Sequence, residues 1–216
     1  PTAPAQGSIT YADIFVAALD ASDGSDKWLA QAGGPEADHV WAMSKNAKGA
    51  PIIGGIFRKT ATFLDAAPAT GTTSKTAKGY VDAFVASLDA AGSFNWGETI
   101  GNNASNVSLR DIAVDASDNV HVVGGFVGSL TLGKNQFKNL DAKFFGLLDT
   151  SGTARAFKGG ILGGGHIEDY FEAIALDTSG KYLHAAGFIK LGGKYGDITV
   201  KTAANYADLM VVKLKY

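Results

Sequence analysis

An internal repeat constrains this chain more than any other feature. One segment recurs four times, as DIFVAALD from Asp13, DAFVASLD from Asp82, AKFFGLLD from Ala142 and DLMVVKLK from Asp208, with starts 69, 60 and 66 residues apart. Repeats of this kind bury their apolar residues by stacking on one another, so the fold is expected to be an array of similar units. After each of the first three copies comes a polar turn, then a strand-like run carrying Trp28, Trp96 or Phe157. Small-residue turns follow, at Gly33-Gly34, Gly101 and Gly163-Gly164-Gly165.

A second block then appears three times: WAMSKNAKGAPIIGG from Trp41, IAVDASDNVHVVGG from Ile112 and IALDTSGKYLHAAG from Ile174. An apolar run, a turn of Asp, Ser, Asn or Gly, and a second apolar run ending in Gly is the pattern of a β-hairpin. In this alignment Gly55, Gly125 and Gly187 share a register, Ser44 stands where the later copies have Asp115 and Asp177, and the first turn holds an extra residue. The connections 56–81, 126–141 and 188–207 contain alternating pieces such as TATF, SLTLG and DITVK, which fit a further hairpin. Helical periodicity is missing over any useful length, because Gly, present 28 times, interrupts the candidate windows. The predicted fold class is all-β, a β-propeller-like repeat of four-stranded antiparallel blades, about three repeats plus one extra strand. Residues 1–216 read as a single repeat domain, with repeats at 13–81, 82–141 and 142–207 and a partial one at 208–216.

The pattern DxFVAxLD followed by IAVDxxGNVxVxGxF resembles the bacterial SBBP-type β-propeller repeat of large surface-associated proteins, over Asp13 to Tyr216. Its best copy here is DAFVASLDAAGSFNW with DIAVDASDNVHVVGGF. The resemblance implies a propeller fold and an extracellular or cell-surface location, and carries no catalytic residues with it.

Composition excludes several other classes. With 46% apolar residues, 19% charged ones and a formal net charge of −2, the chain is neither a disordered tail nor a basic nucleic-acid binder. No apolar run is long enough for a membrane-spanning helix. The absence of Cys removes disulfides, thiol nucleophiles and thiolate metal sites together. Asn103 and Asn106 each open a glycosylation sequon, which fits an exterior location.

Candidate chemistry is sparse. GSLTLGK, from Gly128 to Lys134, matches the start of a phosphate-binding loop, but Asn135 stands where Ser or Thr must hold magnesium. Asp20, Asp23 and Asp26 gather as candidate calcium ligands, although Ser22 and Gly24 break the spacing of a calcium loop. The alternative is a hairpin turn whose side chains satisfy backbone N–H groups. The histidines form no metal-binding pair, and His121 and His184 fall one position apart in the second hairpin, on opposite faces. Charged residues precede that hairpin in each copy, as Asp38-His39, Arg110-Asp111 and Glu168-Asp169. If the next run is the innermost strand of a blade, they gather at one mouth of a central channel, the expected ligand-binding region. No cofactor is expected.

These readings predict a non-enzymatic extracellular or cell-surface binding or scaffold module. Its expected partner is protein, by self-association or within a larger chain. The alternative is a lectin-like, glycan-binding propeller using aromatics such as Tyr80, Tyr170 and Tyr206; third comes a polysaccharide-acting enzyme using paired carboxylates at the mouth. Three repeats and one strand make an awkward ring, so the terminal strands are expected to pair outside the complete blades.

Overall fold

The computed structural model describes residues 12–65, 72–133, 135–149, 156–164, 170–190, 193–195, 198–200 and 207–215. Among them every regular element is a strand and there is no helix. Strands β1 (Ile14–Leu19) and β2 (Asp26–Gly33) form a hairpin, as do β3 (His39–Lys45) with β4 (Pro51–Phe57), β5 (Thr60–Leu64) with β6 (Thr72–Thr76), and β7 (Asp82–Leu88) with β8 (Phe94–Ile100). They assemble into a first sheet of order β1-β2-β5-β6 and a second of order β3-β4-β7-β8. The third sheet runs in chain order: β9 (Ser105–Val114), β10 (Val120–Leu132), β11 (Asn135–Asp149) and β12 (Ala156–Gly164). The fourth joins β13 (Tyr170–Leu176), β14 (Tyr182–Lys190) and β17 (Ala207–Lys215), while β15 (Gly193–Tyr195) and β16 (Ile198–Val200) form a separate ribbon.

All strand pairings among the described residues are antiparallel, and the four-stranded sheets stack in a propeller-like series that does not close. The recurring segment supplies the third strand of a sheet, and the aromatic strand the fourth. The second block supplies the first and second strands. A repeat counted from Asp13, Asp82 or Ala142 therefore straddles two sheets, and a complete sheet spans 39–100 or 105–164.

Cores lie between successive sheets. Ile14, Val16, Ala30 and Ala32 of the first sheet meet Ile53, Phe57, Phe84, Ala86 and Leu88 of the second. The opposite face of the second, with Ala42, Ile52, Ala83 and Val85, packs on Leu109, Ile112, Val122 and Phe144 of the third. Val123 of the third then meets Phe171, Ala185 and Met210 of the fourth. Because alternate side chains point to opposite faces, β7 between two neighbours is buried at all seven positions.

The expected extra hairpins have a common role. The β5–β6 hairpin leaves the second sheet and pairs its Thr62, Phe63 and Leu64 with Gly33, Ala32 and Gln31 of β2. The β10–β11 hairpin extends to Leu132↔Asn135, placing Leu130, Leu132 and Phe137 in the core that Trp96 of β8 joins. The β15–β16 ribbon lies against β12. Each connection thus reaches back to the fourth strand of the preceding sheet and latches two sheets together.

Register corrects the alignment of the second block. Gly55 pairs with Phe84, Gly124 with Phe144 and Gly187 with Met210, so the matching residue of β10 is Gly124 rather than Gly125. A Cβ at Gly55 or Gly124 would collide with the backbone carbonyl of His39 or Ser108. The one-residue slip changes faces, and His121 and His184 therefore occupy the same position, not opposite ones. The turn residue equivalent to Asp115 and Asp177 is Asn46, not Ser44. Asn46 Oδ1 accepts the N–H groups of Lys48 and Ala50 at 3.0 and 2.9 Å, as Asp115 Oδ1 accepts those of Ser117 and Asn119 at 2.8 and 3.0 Å. These turns, with that of Asp89, share one left-handed position filled by Gly49, Gly92, Asp118 and Gly180, where Gly has no Cβ to clash.

Trp28 and Trp96 are partly buried and pack against the cores between the sheets, and the side chain of Phe157 lies outside the described residues. Trp28 Nε1 donates to Ala90 O at 2.9 Å, tying the fourth strand of the first sheet to a turn of the second. Strand β17 pairs within its own sheet, with β14 from Tyr182↔Lys215 to Lys190↔Ala207.

Candidate functional site at the inner strands

The first strands of three sheets, β3, β9 and β13, run side by side along the inner edge. Each carries a bulge at the same place. Pairing skips Trp41 between Val40 and Ala42, Arg110 between Leu109 and Asp111, and Glu172 between Phe171 and Ala173. A bulge re-aims its extra residue out of the regular alternation, so these three residues form an equivalent row. The Arg110 guanidinium lies over the Trp41 ring, 4.3 Å from its centroid, a geometry in which the cation meets the negative face of the indole. His39 stacks on the same indole at 6.4 Å and 25°. Trp41 is 40% exposed, and Glu172 is exposed.

Asp111 sits beside this row. Its Oδ1 accepts its neighbour Ile112 N at 2.8 Å, and its Oδ2 accepts Ile174 N of β13 at 2.7 Å. The carboxylate thus stitches two inner strands together.

Of the pairs expected at one mouth, the two among the described residues, Asp38-His39 and Arg110-Asp111, do not occupy equivalent positions. Counting back from Asn46 and Asp115, Asp38 matches Val107 and His39 matches Ser108, so Asp38-His39 lies two or three residues before the position of Arg110. Asp38 is buried; its Oδ1 accepts Arg58 N at 3.0 Å, and its own N–H donates to Ala12 O at 2.8 Å. Burial pushes its carboxyl above the ordinary range, with a smaller contribution from the Asp13 carboxylate. Glu168 and Asp169 lie outside the described residues, as do Tyr206 and the side chain of Tyr170.

The other candidates have local tasks. Asp20 Oδ1 accepts Ser22 N and Oγ at 2.9 and 2.6 Å, and its Oδ2 pairs with Lys27 Nζ at 3.0 Å. The hydroxyl of Ser22, with further help from its N–H and Lys27, holds this carboxyl down to about 2. Asp23 Oδ1 accepts Ser25 N and Oγ at 2.9 and 2.7 Å, and these bonds lower its pKa as well. Asp26 starts β2. Among the described residues no group of three or more acidic or histidine side chains could hold a metal ion. Asn103 and Asn106 are both exposed, while Ser105 of the first sequon is buried, its Oγ accepting Asn102 N at 3.1 Å.

His121 is buried next to Asp115, with Nε2 and Oδ2 3.2 Å apart. Burial lowers its pKa and outweighs the opposing carboxylate, so the imidazole is neutral at pH 7 and its Nε2–H donates to Asp115. Burial raises Asp115, but bonds from Asn119, His121 and Ser117 outweigh that, and it stays below the ordinary carboxylate range.

Trp41 and Glu172 were missed in the sequence because the second block was aligned from its apolar run. Counting five residues back from Asn46, Asp115 and Asp177 reaches Trp41, Arg110 and Glu172 directly. No protein-family pattern matches the chain, and no curated protein matches it in sequence.

Proposed function

We propose that this chain is a non-enzymatic scaffold or binding module of the cell exterior. One observation carries the reading: six aspartates along the inner strands and turns each accept a backbone N–H. Asp111 bonds β13, Asp38 bonds Arg58, Asp82 takes Lys78 N and Gly79 N at 2.7 and 3.2 Å, and Asp89, Asp115 and Asp177 each close a turn. Carboxylates used this way hold strands and turns in place, whereas acid–base catalysis needs a carboxyl aimed at a substrate proton. The surface location follows the SBBP-type resemblance and the exposed sequon asparagines. Assay against a panel of polysaccharides tests the reading: no turnover is expected, and turnover lost in Asp111→Asn would overturn it.

A second reading, glycan binding, is favoured by the exposed Trp41 beside Arg110 and by Tyr80, 69% exposed with the Arg58 guanidinium 5.5 Å from its ring centroid. Aromatic faces with adjacent donors suit sugars. A glycan array probed with the chain and with Trp41→Ala separates the two readings.

A further inference from the structure

We infer that, in a reciprocal exchange between two copies, the β1–β2 hairpin of one completes the fourth sheet of the other, taking the place of β17 on β14. The inference rests on the scaffold reading and names its partner as a second copy of this chain.

The strand inventory points to this exchange. In the complete second sheet the order is first, second, third and fourth strand, as β3-β4-β7-β8. The first sheet holds a third and a fourth strand, β1 and β2, and among the described residues nothing pairs with the far edge of β1. The fourth sheet holds a first and a second strand, β13 and β14, with β17 on the third position and no fourth strand beyond it among the described residues. Strands β1 and β17 are copies of one segment, and both fit the edge of β14. Joining β13-β14 to the partner's β1-β2 gives a sheet with the order of the second.

The side chains favour β1 as the better occupant. In the second and third sheets the glycine of the second strand pairs with a fully buried phenylalanine, Gly55 with Phe84 and Gly124 with Phe144. In the fourth sheet Gly187 pairs with Met210. The β1 residue at that position is Phe15, 69% exposed in the single chain. Placed opposite Gly187 it would enter the core of Val123, Phe171 and Ala185. Met43 of β3 is 68% exposed, although its equivalent Ile112 is buried against the preceding sheet. The incoming β13 and β14 would supply the inner half of the preceding sheet that Met43 lacks. Strand β17 covers one face only: Met210 is buried and Val212 packs beside it, but Leu209 and Val211 are 81% and 63% exposed. The partner's β1 would replace its ladder to β14, and the exchange also covers Phe15 and Met43.

Strand β17 competes from within the same chain, so the dimer should grow with concentration. Sedimentation and light scattering of the full chain should show monomer and dimer with nothing larger. Phe15→Glu should remain folded by circular dichroism and lose the dimer. Leu209→Glu should leave the dimer intact, and Met210→Glu, which loosens β17, should raise the dimer fraction. The register predicts that Ala18 of one copy faces His184 of the other, as Ser87 faces Ile52 within the second sheet. In this cysteine-free chain, Ala18→Cys with His184→Cys should oxidise to a dimer linked between chains. Absence of dimer in both wild type and Met210→Glu, with no link between chains, would overturn the proposal. So would a dimer abolished by Leu209→Glu but insensitive to Phe15→Glu, which would mean face-to-face stacking, or a ladder of larger oligomers. None of these results concerns polysaccharide turnover, so the scaffold reading stands or falls separately.

Discussion

Strand β7 in the middle of the molecule and strands β1 and β17 at its flanks are copies of one segment in three environments. In β7 every residue is buried, with Phe84, Ala86 and Leu88 facing the first sheet and Ala83 and Val85 the third. In β1 only one face is covered: Ile14 and Val16 are buried, Phe15 and Leu19 are not. In β17 the covered face is the other one, carrying Met210, while Leu209 and Val211 look outward. The two open faces correspond to the two faces of β7 that neighbouring sheets cover. Burial therefore belongs to the position in the stack rather than to the segment, and nearly identical apolar strings contribute very different stability.

The largest test of that contrast is truncation of the shared aromatic. Phe84→Ala should destabilise the monomer by about 3–5 kcal/mol, the range for core phenylalanines. Phe15→Ala should stay within about 0.5 kcal/mol, as for an exposed side chain. Urea denaturation at low concentration measures both, and equal losses would mean that β1 is covered in solution.

The glycines sharpen the comparison. Gly124→Ala would drive a Cβ into the Ser108 carbonyl and the Phe144 ring, a backbone clash that cannot relax cheaply, so a loss of about 3 kcal/mol is expected. Gly180→Ala meets nothing within 4 Å but must adopt φ +65°, costing about 1 kcal/mol. Reversal of that order in thermal melts would mean that the β9–β10 register is misread.

Next comes the half-buried aromatic of the fourth strand. Trp28→Ala should lose about 2 kcal/mol, less than a full core tryptophan. Trp28→Phe keeps most of the packing but loses the bond to Ala90 O, and should cost about 1 kcal/mol. Equal stability of wild type and Trp28→Phe would show that the bond between sheets contributes nothing.

The smallest effect concerns pH. His121 has a lowered folded pKa, so on acidification the unfolded chain takes up its proton first. The stability from its neutral, buried form is complete above the ordinary histidine pKa of about 6.5 and is lost as pH falls from there through the folded value. Denaturation midpoints at about pH 7.5 and about pH 5 should differ more in wild type than in His121→Gln. An unchanged pH response in the variant would assign the step to other groups.

How far the amino-acid string could be read depended on the range of the interaction. Turns were legible because an Asp or Asn side chain bonding N–H groups two and four residues on, with Gly or Asp at the left-handed position, is local chemistry. Strands were legible from alternation, the hairpins from the turns between them, and the all-β class from the lack of helical period. The charged pairs were harder, because Asp38-His39 and Arg110-Asp111 look alike as dipeptides but differ in register. One residue of slip in the second strand, Gly125 for Gly124, exchanged faces, and two in the first, Ser44 for Asn46, hid the row of Trp41, Arg110 and Glu172.

The amino-acid order alone settles which segments are strands, where the chain turns, and that one unit recurs. Tertiary structure decides that a blade joins the second block of one repeat to the first block of the next, and that the variable connections reach back as latches. It also decides that three bulges bring a tryptophan, an arginine and a glutamate into line. The physical reason is that turn and strand preferences are satisfied within a few residues. Sheet order, register and burial depend instead on backbone hydrogen bonds and apolar contacts between residues tens of positions apart, and several arrangements satisfy the same local pattern until the sheets stack.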